Sequence, residues 1–250
     1  MNIIAVIPSR YDSTRFPGKP LAMINGKTMI MRVWEQVRQS KMLHDVFVAT
    51  DDSRIYDHVK KFGGSVLMTS PDHQNGTSRC KEVLDILTVN GSVVSPDVLI
   101  NIQGDEPFIN PSQIDQVARL FENPSVEIGT LAKKISDNSE LFNTNAVKVV
   151  TDSDGNALYF SRQTIPFIRQ TDQKEWLKHY DFFKHIGIYG YRSDILAGIT
   201  QLSPGPLEEA EKLEQLRWLE NGFSITVGET EFESPAIDTP EDLSKLTNSI

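Results

Sequence analysis

The chain of 250 residues has a single cysteine, Cys80. No intrachain disulfide and no cysteine-based zinc site can therefore form, and a reducing compartment fits. It also lacks any uninterrupted apolar run near the ~18 residues that a membrane-spanning helix needs. The apolar start, Met1 to Ile7, stops at Pro8 and Arg10 and has no basic n-region of the kind a signal sequence carries. The expectation is a cytoplasmic protein with no membrane partner. Basic charge is scarce too, with 25 Lys and Arg against 34 Asp and Glu and a net charge of −9. A field of that sign disfavours nucleic acid, so any bound anion must be gripped by a local cationic cluster. Repeats and low-complexity tracts are absent, and 39% hydrophobic residues exclude a disordered chain. No G-x-G-x-x-G follows the first apolar run, which argues against a nicotinamide or flavin cofactor. Gly26-Lys27-Thr28 has the tail of a P-loop, but Leu21 stands where its first glycine is required.

What is present is a regular alternation of apolar runs and helix-periodic stretches, the pattern of βαβ units. Ile3 to Ile7, Val46 to Ala49, Val66 to Met68 and Val98 to Ile102 read as buried parallel strands. Met29, Ile30, Val33, Trp34 and Val37 fall on one face of an intervening helix. The fold class expected is α/β, a Rossmann-like, doubly wound, mostly parallel sheet. After about residue 125 the rhythm changes. Two apolar runs flank the turn Asp152-Ser153-Asp154-Gly155, His185 to Tyr191 alternates like a strand, and Leu207 to Leu219 reads as one helix. The whole of 1–250 is expected as one domain: a nucleotide-binding half over about 1–125, an α+β lobe over about 126–235, and a C-terminal helix, 236–250, returning to the first half.

Ligands of doubly wound sheets bind beyond the carboxyl ends of the strands. After the first strand, Arg10, Arg15 and Lys19 fall within ten residues, with Ser13 and other hydroxyls between them. Arginine forks and a lysine point charge suit phosphate oxygens. After the fourth strand comes Gln103-Gly104-Asp105-Glu106-Pro107, where a carboxylate could be held rigidly over the site to bind Mg²⁺. Asp238, near the C-terminus, is either a second metal carboxylate or part of a helix cap, since Thr239, Pro240 and Asp242 resemble a capping box. Asp51-Asp52 reads mainly as a helix cap. His185 and Tyr189, four apart in an alternating strand, share a face. His44, His58, His73 and His179 lack metal-ligand spacing and read as surface residues.

The block Ile7-Pro8-Ser9-Arg10-Tyr11-Asp12-Ser13-Thr14-Arg15-Phe16-Pro17-Gly18-Lys19-Pro20-Leu21 resembles the signature loop of the sugar-acid cytidylyltransferases. Further blocks, Asn101 to Pro107, Asn145 to Val150, Ala157 to Arg162, His185 to Tyr191, Leu213 to Arg217 and Ile237 to Leu243, resemble the branch of that family that uses 3-deoxy-D-manno-octulosonate (KDO). The resemblance implies the nucleotide-diphospho-sugar transferase type of fold, with an inserted lobe for substrate binding and dimerisation. It further implies transfer of CMP from CTP to KDO, releasing pyrophosphate and forming CMP-KDO for lipopolysaccharide biosynthesis, with Mg²⁺ as cofactor and a homodimer.

By the same resemblance Arg10, Ser13, Arg15 and Lys19 grip the phosphates, and Asn75, Gly76 and Arg79 face the cytosine. Asp105 and Asp238 hold Mg²⁺ and, with Lys19, form the catalytic set. Gln103, Arg162, His185, Tyr189, Glu214 and Gln215 bind the sugar acid, the last pair from mid-helix. The chain departs from the family pattern at Asp12, which puts a negative charge in the phosphate loop, and at Asn75 and Ser78; Ser9 and Phe16 are milder changes. An 8-amino-KDO or sialic acid acceptor, a sugar-1-phosphate nucleotidyltransferase and a non-catalytic nucleotide or sugar sensor are the competing readings. A glycosyltransferase based on Asp152-Ser153-Asp154 is disfavoured because that motif sits in a hairpin turn. A serine hydrolase is disfavoured because Gly76-Thr77-Ser78-Arg79-Cys80 only half matches G-x-S-x-G.

Overall fold

The structure, a computed structural model, describes residues 1–12, 15–89 and 95–247. Its contacts divide the chain into two units, Met1–Ala118 with Ser234–Ile250, and Arg119–Glu233. The second is thus an insertion in the first.

The first unit begins with strand β1 (Ile3–Pro8) and a 3-10 turn at Lys19–Leu21. A small hairpin of β2 (Met23–Ile24) and β3 (Lys27–Thr28) follows, then α1 (Met29–Val37), β4 (Asp45–Thr50), α2 (Ser53–Lys61), β5 (Ser65–Met68), α3 (Gly76–Val89), β6 (Val98–Asn101) and α4 (Pro111–Leu120). Residues 3–7 of β1 are buried along their whole length, as the two-faced apolar run requires. β1 pairs in parallel with β4 on one side and β6 on the other, and β4 pairs in parallel with β5. The order β6-β1-β4-β5 places the reversal of winding between β1 and β6, so the loops leaving these two strands flank the switch point where such sheets bind ligands.

The P-loop-like Gly26-Lys27-Thr28 turns out to be hairpin and cap. Asn25 and Gly26 both have positive φ, 45° and 81°, as a type I′ turn needs, and the Thr28 hydroxyl accepts from Met31 N to cap α1.

The second unit contains β7 (Ile128–Lys134), α5 (Asn138–Leu141), β8 (Lys148–Thr151), β9 (Ala157–Ser161), α6 (Trp176–His179), β10 (Phe183–Arg192), α7 (Ser193–Ile199), α8 (Pro206–Glu211), α9 (Glu214–Glu220) and β11 (Ile225–Glu229). β7 lies antiparallel to β10 and parallel to β11, while β8 is antiparallel to both β9 and β10. The expected hairpin at Asp152–Gly155 is present. Asp152 Oδ1 accepts from Asp154 N and Asn156 N at 2.9 and 2.8 Å, so this carboxylate shapes a turn.

The single helix expected over 207–219 is two. Lys212 adopts a left-handed conformation, φ 54° and ψ 47°, Leu213 is extended, and Glu214 opens the new helix. No glycine marks the break. The two helices are held by a fork between the Glu208 carboxylate and Arg217, both contacts 2.6 Å.

The chain returns to the first unit through α10 (Pro240–Thr247). Ile237 is buried against Ile24 and Met29, with Phe16, Phe108 and Leu243 packed around them. Thr239 and Asp242 form the capping box: Asp242 Oδ2 accepts from Thr239 N at 3.0 Å, and Asp242 N donates back to Thr239 Oγ1 at 3.2 Å. Because Ile237 is the apolar anchor of this returning segment, Ile237→Ala is expected to cost about 2–5 kcal/mol. Urea unfolding will read this as a lower midpoint at unchanged slope; a loss below about 1 kcal/mol would mean the segment is not docked by this side chain.

Candidate active site at the ends of strands β1 and β6

Two close approaches assemble the site floor. A Cβ on Gly104, in the loop leaving β6, would lie 2.8 Å from the Pro8 carbonyl at the end of β1, so only glycine allows the two loops to touch. A Cβ on Gly76, at the start of α3, would meet Asn101 Nδ2 at 3.3 Å and the Pro8 ring at 3.4 Å. The first turn of α3 therefore stands over the same strand ends.

The loop from β1 is shaped by Tyr11. Gly18 N donates to Tyr11 O at 2.9 Å. Gly18 has φ 72°, and any Cβ there would press on the Tyr11 ring at 3.1 Å. The Tyr11 ring also carries the Arg54 guanidinium, 3.3 Å from the ring centroid, a cation–π contact. Arg54 is in turn forked onto Asp52, the α2 N-cap. The hydrogen bond to Asp52 is the main cause that raises the Arg54 pKa; Asp12, the acidic departure from the family pattern, is exposed and adds a smaller contribution.

Lys19 reaches from this loop to both proposed metal carboxylates. Its ammonium donates to Asp105 Oδ2 at 2.7 Å and to the Ile237 carbonyl at 3.0 Å, and lies 3.5 Å from Asp238 Oδ1. Ile237 N donates to Asp105 O at 2.9 Å, so the segment bearing Asp238 is stitched to the loop bearing Asp105. Arg15 Nη1 meets Asp238 Oδ2 at 2.9 Å, but the Arg15 side chain is 65% exposed. An ion pair that open is worth at most about 1 kcal/mol, and its guanidinium is available to a stronger anion. The helix cap is made by Thr239 and Asp242, while the Asp238 carboxylate faces Lys19 and Arg15. Arg10 is exposed at the start of the loop, and Gln103 is exposed after β6. Ser13 lies outside the described residues.

Near the start of α3, the departures Asn75 and Ser78 form a cap, with Ser78 N donating to Asn75 Oδ1 at 2.8 Å and Ser78 Oγ donating to Asn75 O at 3.1 Å. Arg79 is 3% exposed, and its guanidinium donates to Thr69 Oγ1 at 2.6 Å and to Asp51 at 2.7 Å. That ion pair ties α3 to the loops after β4 and β5. Neither Asp51 nor Thr69 as its partner could be read from sequence, because nothing local marks a pairing across 28 and 10 residues.

The remaining predicted residues lie in the second unit. Arg162 Nε donates to the Glu211 carbonyl at 2.7 Å, and its other nitrogens reach the Thr144 and Lys212 carbonyls at 3.3 and 3.4 Å. Glu211, a residue the sequence reading missed, accepts from Ser161 Oγ and Arg162 N at 2.7 and 2.9 Å. Buried Lys148 donates to the carbonyls of Asn143, Ala146 and Arg162; loss of hydration lowers its pKa. Glu214 and Gln215 sit in the first turn of α9, a correction to the mid-helix placement that follows from the break at Lys212. Gln215 is buried.

The His185 and Tyr189 rings are 5.1 Å apart, on one face as expected. The Tyr189 hydroxyl is buried and has no hydrogen-bond partner, an orphaned group of the kind a ligand satisfies. Burial raises its pKa well above the usual phenol range, and the nearby Tyr191 and Glu214 raise it further. Two of the histidines read as surface are partly buried and bonded: His58 Nε2 contacts Thr28 Oγ1 at 2.8 Å and His73 Nε2 contacts Glu82 at 2.5 Å.

Burial alone pushes His185 from its ordinary 6.5 down to about 3. With the folded value below the unfolded one, the unfolded chain binds the extra proton first, so this group withdraws stability as pH falls from 6.5 toward 3. The ring-proton NMR shifts of His185 are expected to stay flat across about pH 5–8, where an ordinary histidine titrates; a midpoint in that window would contradict the burial.

A parallel sheet with a cation-bearing loop and two carboxylates at its switch point is the arrangement in which α/β proteins bind anionic ligands. The family model described as Cytidylyltransferase matches residues 4–228, and the chain belongs to that family. It is 55% identical over 251 residues to the 3-deoxy-manno-octulosonate cytidylyltransferase of Cytophaga hutchinsonii, covering 100% of this chain and 98% of that protein. The protein of the same name from Bacteroides thetaiotaomicron is 52% identical, with 97% and 96% covered. A solved structure of CMP:2-keto-3-deoxy-manno-octonic acid synthetase complexed with CTP superposes with TM-score 0.89 at 38% identity, covering 100% of this chain and 98% of that one.

Proposed function

We propose that this chain transfers CMP from CTP to the anomeric hydroxyl of KDO, releasing pyrophosphate and forming CMP-KDO for lipopolysaccharide biosynthesis. The observation that carries the reading is the meeting of Lys19, Asp105 and Asp238 at the carboxyl ends of β1 and β6, in a chain similar along its whole length to KDO cytidylyltransferases. Transfer at phosphorus asks the protein chiefly for in-line positioning and charge neutralisation. Arg10, Arg15 and Lys19 supply the positive charge for the triphosphate. Asn75 and Gly76, at the start of α3, are assigned to the base, and Arg79 keeps that turn in place through Asp51.

Asp105 and Asp238 turn hard oxygen donors toward a single cation, Lys19, a donor set that fits Mg²⁺. Among the described residues no group of three or more His, Cys, Asp or Glu could hold a metal, so phosphate oxygens and water would complete the coordination, the usual arrangement for this ion. When bound, Mg²⁺ supplies charge neutralisation and lowers the pKa of a coordinated oxygen. No separate protein base is then assigned.

In the second unit the sugar acid is assigned to Arg162, His185, Tyr189, Glu214 and Gln215. The unsatisfied Tyr189 hydroxyl and the neutral His185 ring suit sugar hydroxyls, and Arg162, whose fork is spent on carbonyls, contributes mainly its charge. Use of CTP fits the cytoplasm; no helix among the described residues is long and apolar enough to cross a membrane.

A coupled pyrophosphate-release assay tests the reading. Asp105→Ala is expected to lose at least about 100-fold in turnover with unchanged circular dichroism, and Lys19→Ala to raise the KM for CTP more than that for KDO. Binding of CTP and KDO with no turnover in the wild type would favour the sensor, full turnover in Asp105→Ala would remove Asp105 from the reacting centre, and faster reaction with sialic acid than with KDO would move the assignment within the family.

A homodimer is part of the same proposal. Phe167 and Phe142 are exposed, 72% and 39%, although both pack on the Trp176 ring, an apolar patch of the kind that pairing covers. Light scattering should give twice the 28.1 kDa of one chain, and Phe167→Glu should shift the mass toward the monomer; a wild-type monomer would remove the dimer.

A further inference from the structure

β10 carries an irregularity opposite Thr130. Ile186 pairs with Leu131, yet the next pair is Tyr189 with Thr130, so β10 holds two residues more than β7 at this point. An insertion of two preserves the alternation of faces, which is why His185 and Tyr189 remain side by side. The space inside the bulge is filled by the Thr130 hydroxyl. Thr130 is fully buried, and its Oγ1 lies 2.8 Å from Ile188 O, 3.2 Å from Ile186 O and 3.0 Å from His185 Nε2.

The protons can be counted. A threonine hydroxyl carries one proton, and carbonyl oxygens only accept. Were that proton given to His185, the hydroxyl oxygen would face the Ile188 carbonyl oxygen at 2.8 Å with no hydrogen between them. The hydroxyl therefore donates to the bulge carbonyls and turns a lone pair to Nε2, which must hold a hydrogen. In a neutral imidazole the other nitrogen is then bare, and Nδ1 has no partner among the described residues. The ring packs edge-on against Phe160 and beside Tyr189, neither of which offers a competing charge.

We infer that Thr130 is a positioning residue that fixes His185 as its Nε2–H tautomer and thereby presents Nδ1 as an acceptor to a hydroxyl of the bound sugar acid. The inference rests on the assignment of His185 to the sugar site made above. It also sets polarity within that site: a bare nitrogen attracts a hydroxyl proton and repels a carboxylate, so the acid group of the substrate is turned away from His185.

The test uses full-length protein labelled with ¹⁵N-histidine. Two-bond ¹H–¹⁵N correlations, with the His185 signals identified by their loss in His185→Gln, should show Nε2 protonated and Nδ1 bare in the wild type. Thr130→Val keeps the shape and removes the hydroxyl. It is expected to give a mixture of tautomers and to raise the KM for KDO about tenfold, the scale of one lost hydrogen bond, with the KM for CTP moving less than about twofold. Thr130→Ser restores the hydroxyl and should restore both readouts. A wild-type Nδ1–H tautomer, or an unchanged His185 spectrum in Thr130→Val, overturns the inference; if the valine variant does not fold, the wild-type spectrum and the serine variant still decide. An Nε2–H tautomer together with an unchanged KM for KDO in His185→Gln overturns the sugar-contact reading and leaves the tautomer lock standing.

Discussion

The ammonium of Lys19 joins three stretches of chain that are remote in sequence: its own loop after β1, the loop after β6 through Asp105, and the returning C-terminal segment through the Ile237 carbonyl and Asp238. Two carboxylates this close repel one another unless a cation sits between them. Lys19 is only 15% exposed, so the attraction is little weakened by water or salt. Everything else in the first unit serves this junction. Gly104 lets the β6 loop press against the end of β1, Gly18 and Tyr11 close the cationic loop, and the Ile24–Met29–Ile237 cluster carries the tail to its place. The junction is also adaptable, because the groups that hold it together are those a polyphosphate would engage.

The second unit follows a different rule. Its polar residues are fixed by backbone carbonyls more than by opposite charges: Lys148 by three, Arg162 by three, Thr130 by two. Its charged pairs, Glu208 with Arg217 and Lys184 with Glu140 and Glu233, tie elements together. The rings of His185, Tyr189, Tyr191 and Trp218 pack on one another.

How much of this was legible in the sequence follows from how local each cause is. The four parallel strands announced themselves because a strand buried on both faces must be continuously apolar. The cationic loop and Asp105 were legible because function at a switch point follows the strand end directly. Strands β7 and β11 were not read as such: β7 contains Gly129 and Ala132, weak β formers, and Gly129 is needed where a Cβ would meet Leu120 and Phe121 at 3.1 Å. The helix break at Lys212 left no trace, since lysine in a left-handed conformation is imposed by packing and not by propensity. The partners of Arg79 and the hydroxyl of Thr130 are tertiary facts. Asn25-Gly26, by contrast, is a plain local hairpin signal, and the turn forms there.

The insertion of residues 119–233 between two parts of one unit has a consequence for synthesis. The parallel sheet and its cationic loop can form as soon as β6 has left the ribosome, since nascent chains fold from the N-terminus as they emerge. Asp238 arrives more than a hundred residues later. A chain whose translation stalls in between can hold the sheet but has only one of the two carboxylates, so the centre is finished last, and truncated products are born without it.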